Sequence, residues 1–323
     1  ASHYREALKL SLDLGDEWRQ AWLMNNLGYV YALQRNRDTA LRLCRQALDL
    51  WNKIGFERGI GAVYSTLGEV SIEFDELDDA VSYFGQALDI FESARDFEWL
   101  SSAYCGRGAA LWLKGELDEA QRDLERAHDI GLKRDRPIVL HRLAHVHLDR
   151  GNIETAKDLF EQSYQASQSA PDPFYELNSL GDLAKIAVLE GDVDKRGEFT
   201  RRFTDFQKRH KGIRYRLPEG LLYRYLGDLY LCAGEIEEAV NYYKKALPLI
   251  AQAGSYEPYT ITGQLAEMEA VVLPRVASEK VVELAQRLEH YWVDERYEEA
   301  CPEVLPFFAR WKTWTASEGG EVQ

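Results

Sequence analysis

The feature that most constrains this chain is a spacing. Leu27-Gly28 returns as Leu67-Gly68 and as Arg107-Gly108, each step being 40 residues. Ala40 returns as Ala80 and Ala120, Ala47 as Ala87 and Ala127, and Asp38 as Asp78 and Asp118. A shorter copy follows with Leu143-Ala144, Glu154, Ala156 and Ser163. Leu183-Ala184 then comes with Asp194 and Arg196, Leu226-Gly227 with Ala239 and Ala246, and a weaker copy holds Leu265-Ala266. Arg35, Asp75, Gly115, Gly151, Gly191 and Gly234 fill one turn column, and Leu77, Leu117, Ile153, Val193 and Ile236 follow two residues later. Columns that recur in phase define a repeat. A unit of this size can bury its apolar face only on its neighbours, which excludes a single compact globule.

Within one unit, Asn25 to Ile54 reads as two amphipathic helices joined by a tight turn. Leu23, Leu27, Val30 and Tyr31 recur at helical spacing in the first. Gly28 sits inside that helix, where it costs about 1 kcal/mol against Ala, so another helix is expected to approach closely there. Ala40, Leu43, Cys44, Ala47, Leu48 and Trp51 make one apolar stripe in the second. Asp38 is expected at the start of that helix, accepting from free N–H groups and offsetting the dipole.

The Leu-Gly pairs, the small residues at Ala40 and Ala47 with their copies, and Tyr31 and Tyr230 resemble the tetratricopeptide repeat (TPR) family. The period near 40 resembles its longer-helix subclass, as in kinesin light chains, Leu-Gly-Asn repeat scaffolds and the sensor arms of STAND-type regulatory ATPases. The resemblance covers roughly residues 1 to 290 and implies an all-α, right-handed superhelical solenoid of antiparallel helix pairs with a C-terminal capping helix.

The expected organisation is a second helix of a truncated repeat over 1–16, a solenoid of about seven repeats over 17–290, a capping helix over 291–317 and a disordered tail over 318–323. Because Ala7 aligns with Ala47, the chain is expected to open inside a repeat, as an excised piece of a longer one. SQSAPDP, ending at Pro173, is the clearest break. In the fifth unit Arg196 and Phe203 stand in slots that hold Ala elsewhere, so altered packing is expected there. Pro302 to Trp314 reads as the final helix, with Phe307, Phe308, Trp311 and Trp314 on one face.

The formal net charge of −15 argues against a general nucleic-acid binder and favours neutral or basic partners. Cys44, Cys105, Cys232 and Cys301 form no paired motif and read as reduced residues of a cytoplasmic protein. No apolar run approaches the roughly 18 residues of a membrane helix.

The resemblance implies that the first helix of each unit lines a groove that holds a protein or peptide. Carried over slot by slot, the groove residues are Trp22, Asn25, Asn26 and Tyr29, then Glu69, Trp112, His141 and His145. Lys185, Arg224, Tyr225 and Asp228 complete them. Asn amides can hold an extended backbone, and Trp and Tyr supply apolar area with a polar tip. The clamp that other TPR proteins use on acidic tails needs Lys and Arg in the early slots, where Asn25, Ser65 and Glu69 stand instead. His141, His145 and Asp149 share a helix face, but without an HExxH pattern a solvated face is expected and no metal is assigned. Lys195 to Arg216 is basic with interleaved aromatics; a charged outer face over a buried Phe199, Phe203 and Phe206 stripe is expected, ahead of a nucleic-acid surface or a dock for an acidic surface such as another part of the parent chain.

No phosphate loop, dinucleotide fingerprint or nucleophile elbow occurs, so neither catalysis nor a cofactor is expected. The expected function is a non-enzymatic recognition module, the ligand-sensing arm of a larger STAND-type signalling protein, with the rest of the parent chain as a second partner. Two alternatives remain at this stage: a small-molecule inducer sensor of a transcriptional activator, and a passive scaffold.

Overall fold

The computed structural model describes residues 2–170, 173–213, 215–253 and 260–315. Among these residues sixteen α-helices and no strand are found. The expected disordered tail lies outside the described residues. The chain divides into two units, Ala1–Leu159 and Phe160–Gln323.

The first unit opens with α1 (Ser2–Asp13) and continues in pairs. These are α2 (Glu17–Leu33) with α3 (Arg37–Ile54), and α4 (Glu57–Glu73) with α5 (Leu77–Ser93). Then come α6 (Phe97–Leu113) with α7 (Leu117–Ile130), and α8 (Arg136–Asp149) with α9 (Ile153–Ser167), inside which the division falls. α2, α4 and α6 each pack on their own partner and on the first helix of the next pair.

The sequence columns acquire causes here. Ala40, Ala47, Ala80, Ala87, Ala120 and Ala127 are buried because the paired helices meet at them. The Leu-Gly glycines face the residue four places after the first Ala of the partner helix. A Cβ on Gly28 would stand 2.5 Å from Cys44 Sγ, and one on Gly68 would stand 2.7 Å from the Phe84 ring. No side chain fits at those distances, which is the close approach the sequence called for. The turn column is equally physical. Arg35, Asp75, Gly115, Gly151, Gly191 and Gly234 all have positive φ, between 58° and 82°. Glycine adopts that conformation freely, whereas Arg35 and Asp75 do so at roughly 1–2 kcal/mol each. One expectation is corrected. The α3 cap is Asn36, whose side chain accepts from Thr39 N at 3.3 Å, and Asp38 lies one step inside the first turn, where it still offsets the dipole.

The second unit contains α10 (Phe174–Glu190) with α11 (Arg196–Arg209), and α12 (Arg216–Cys232) with α13 (Ile236–Ala253). A 3-10 turn at Val193–Lys195 leads into α11. Phe199, Phe203 and Phe206 are buried under it, while Arg196 carries its guanidinium out to Glu235 at 2.8 Å. A large residue therefore occupies the former Ala slot by sending its charge to an edge. The last pair is irregular. α14 (Ile261–Glu267) runs into a π-helical turn at Met268–Val272 before α15 (Ser278–Asp294). α15 passes the expected boundary at 290. The expected final helix over Pro302 to Trp314 is a 3-10 turn (Pro302–Val304) followed by α16 (Leu305–Trp311). Trp292, Phe308 and Trp311 are fully buried, while Phe307 and Trp314 are half-buried.

Candidate functional site

In the first unit α2, α4, α6 and α8 share one face. Trp22 and Tyr29 stand open on α2, at 47% and 38% exposure. Trp22 also borders an apolar cleft of about 580 Å³ with Leu10, Leu14 and Trp18, and its ring meets Tyr4 edge-on at 6.3 Å. Asn26 is committed to its own helix, donating to Trp22 O at 2.9 Å. Asn25 is half-buried, and its Oδ1 is shut from solvent without a hydrogen bond. At the equivalent position of α4, the Ser65 hydroxyl is also buried and unbonded. On α6, Trp112 donates to Asp149 at 2.6 Å and stacks on His145 at 5.0 Å, and His145 meets the buried His141 ring at 4.7 Å.

Glu69 stands at the centre of this face, one turn beyond Ser65. It is open to solvent, yet protein surrounds it closely enough to strip much of its hydration. That desolvation pushes its carboxyl up to about 7; Arg142 of α8 pulls it back in part, and Glu73 adds to the rise. Its charge also raises the Cys44 thiol of α3, which burial has already lifted, and that of Cys105 of α6. One side chain is thus coupled to groups from four successive pairs. Arg142 is engaged nearby, donating to Cys105 O at 2.9 Å. Arg35 pairs with Glu73 at 3.9 Å. Glu69 itself makes no ion pair or hydrogen bond among the described residues.

The second unit treats its predicted residues differently. Arg224, Tyr225 and Asp228 are not open groove residues; they are 2%, 5% and 0% exposed. Arg224 contacts Asp228 at 3.0 Å, an ion pair too poorly aligned to be a hydrogen bond, and donates to Glu267 at 2.6 Å. Tyr243 donates to Asp228 at 2.8 Å, and the Tyr225 ring lies 4.9 Å from the guanidinium. Lys185, also a predicted groove residue, is spent on Glu267 at 3.1 Å. Burial works to raise Glu267, but Arg224 and Lys185 outweigh it and hold its carboxyl below the usual range. Desolvation pushes Asp228 up to about 6 even though Arg224 and Tyr243 favour its charged form.

Two other sequence features resolve into structure. The basic stretch is compensated along α11: Arg202 pairs with Glu161 and Glu198, Arg209 with Glu176, and Lys208 with Asp205. Arg214 lies outside the described residues. The residue that slot-reading missed on the first face is Arg142. It occupies the same column as Asn26, Tyr225 and Gln264, which was signal enough to include it.

Models of the tetratricopeptide repeat match residues 19–93, 137–162 and 222–251. This is a tetratricopeptide-repeat protein. Its fold is an all-α TPR solenoid, and TPR repeats are in general protein–protein interaction modules without enzymatic activity of their own. A STAND protein with a TPR sensor from Pyrococcus horikoshii is similar over 94% of this chain, at 18% identity and a TM-score of 0.60. The match takes in only 46% of that protein, so the chain spans less than half its length. BtubC from P. vanneervenii is similar over 70% of this chain and 94% of its own, at 20% identity and a TM-score of 0.57. Pseudomonas aeruginosa pilF is similar over 79% of this chain and 99% of its own, at 18% identity and a TM-score of 0.52. At these identities the likeness is one of fold. No curated protein matches the sequence. No helix among the described residues is long and apolar enough to cross a membrane.

Proposed function

We propose that this TPR protein is a non-enzymatic recognition module whose first unit holds a protein or peptide on the α2–α4–α6–α8 face, and that it serves as the ligand-sensing arm of a larger STAND-type signalling protein. The observation that carries the reading is the set of unmatched polar groups on that face. Asn25 Oδ1, Ser65 Oγ and Glu69 have no partner among the described residues, while exposed Trp22 and Tyr29 flank them. Folded proteins seldom leave buried polar atoms unpaired, because each costs about 1–3 kcal/mol. A ligand that supplies the missing partners recovers that loss on binding. The sensor role is supported by the fold shared with a STAND protein whose TPR region is described as a sensor.

Selection from a displayed random-peptide library on the full chain tests the recognition role. Enriched peptides are expected to bind the Asn25→Ala and Trp22→Ala variants at least tenfold more weakly. Absence of enrichment, or equal affinity for these variants, overturns the assignment. The sensor role is tested in the parent reading frame, where a nucleotide-binding GxxxxGK[ST] motif is expected beside this region and its absence removes the STAND assignment.

A further inference from the structure

We propose that Glu69 is the receptor for a positively charged group on the ligand, an alkylammonium or guanidinium such as a lysine or arginine side chain carries, with Asn25 and Ser65 completing its seat. The inference rests on the recognition reading above and adds the chemistry of what is recognised.

The argument starts from which partners are missing. Glu69 is an acceptor without a counter-charge in contact. Ser65, one helical turn earlier on the same edge of α4, is 9% exposed and its hydroxyl makes no hydrogen bond. Asn25 Oδ1 on the adjoining α2 is a third oxygen with nothing donating to it. A carboxylate, an amide oxygen and a hydroxyl can all accept, and an ammonium brings three donors and no acceptor. An anionic ligand would leave these oxygens unmatched and would meet Glu69 as a like charge.

The charged and titratable groups around Glu69 do not fill the same role. Glu73 on α4 is paired with Arg35, which follows α2. Cys44 on α3 and Cys105 on α6 are held as thiols by burial. Arg142 on α8 is the nearby cation; it bonds to Cys105 and stays outside ion-pair distance of Glu69. Behind Glu69, α5 contributes the uncharged ring of Phe84 against Gly68. The Tyr29 and Trp22 rings suit the alkyl stem or the cation itself. The chain's net charge of −15 draws such ligands from solution.

The test uses the full chain with ¹³C-labelled glutamate carboxyls, the Glu69 resonance being assigned by its loss in Glu69→Gln. N-acetyl-lysine methylamide and its uncharged norleucine counterpart are titrated at pH 6 and pH 8. The lysine probe is expected to move the Glu69 resonance saturably, and the norleucine probe is not. Because Glu69 titrates near 7, apparent affinity for the lysine probe should be about tenfold weaker at pH 6 than at pH 8. Equal shifts from the two probes, or an unmoved Glu69 resonance, overturn the inference. Such a failure leaves the peptide-library result standing, whereas a library failure with a positive lysine titration removes only the recognition of a larger partner.

Discussion

Glu69 and Asp228 occupy the same column, each following a Leu-Gly pair, and the chain treats them in opposite ways. In the sixth repeat the residue one turn earlier is Arg224, and the ring behind the glycine is Tyr243, whose hydroxyl reaches the carboxylate at 2.8 Å. In the second repeat those two positions are Ser65 and Phe84. Phe84 fills the same space against Gly68 but has no hydroxyl to offer. Three differences on one scaffold, Ser65 for Arg224, Phe84 for Tyr243 and Glu69 for Asp228, thus accompany the change from a buried, internally neutralised carboxylate to an open one. Repeats share packing columns because the fold requires them, and they differ in whether each column's charge is matched inside the chain.

The largest expected difference is in stability. Arg224→Met leaves Asp228 and Glu267 without their shared cation in the core and should cost about 3–5 kcal/mol. Urea unfolding followed by the fluorescence of Trp292 and Trp311, both buried in the same unit, measures it. Glu69→Gln removes no partner and should change stability by well under 1 kcal/mol at neutral pH. Equal losses in the two variants would erase the distinction between the slots.

The glycines sharpen the same contrast at about 1–3 kcal/mol, the usual range for overpacking. A Cβ at position 68 would lie 2.7 Å from the Phe84 ring, and one at position 227 would lie 2.9 Å from the Tyr243 ring. Both Gly68→Ala and Gly227→Ala should destabilise. Gly227→Ala should cost more, because displacing Tyr243 also breaks its hydrogen bond to Asp228. Thermal melts of the two variants rank them.

Transplanting the partners should close the open slot. The triple variant Ser65→Arg, Glu69→Asp and Phe84→Tyr places the sixth-repeat residues at these three positions of the second repeat. It should bind the lysine probe at least tenfold more weakly than the wild type, which is about 1.4 kcal/mol. Carboxylate-detected NMR reads the loss directly, and unchanged binding would show that the counter-charge is not what separates the two slots.

Much of this was legible before any coordinates. Helix pairs, turn positions and close-approach glycines each depend on one residue type at one period, and periodicity exposes them. The positive φ at Gly115 and Gly151 is visible as a glycine column, although Arg35 in the same column shows that sequence alone gives a preference and not a rule. What the columns did not give was the fate of Arg224, Tyr225, Asp228 and Lys185. Their burial depends on Glu267, 43 residues after Arg224, and on Tyr243 from the partner helix. Slot-reading assigns each residue a face, but neutralisation is a property of three or four residues drawn from different columns. Asn26 is engaged more locally: its amide donates back to its own helix at Trp22, an option that short polar side chains have.

The smallest expected effect is the one most specific to Glu69. Its carboxyl sits near 7 in the folded chain, against about 4.3 when unfolded, so folding favours the protonated form. The resulting contribution is fully present below about pH 4.3 and is lost as pH rises through 7. Glu69→Gln keeps a neutral side chain at every pH and escapes that loss. The variant's melting temperature relative to wild type should therefore climb between pH 5 and pH 8. The climb should be modest, because Glu69 is open to solvent and screening reduces what the shift is worth. Taking the difference between variant and wild type cancels the titrating groups not coupled to Glu69, including Asp228, whose own transition lies near 6. A gap that stays flat across this range would place Glu69 at an ordinary carboxylate value. Its surroundings on α4 would then not be desolvating, and the open slot would be no different from any other exposed glutamate.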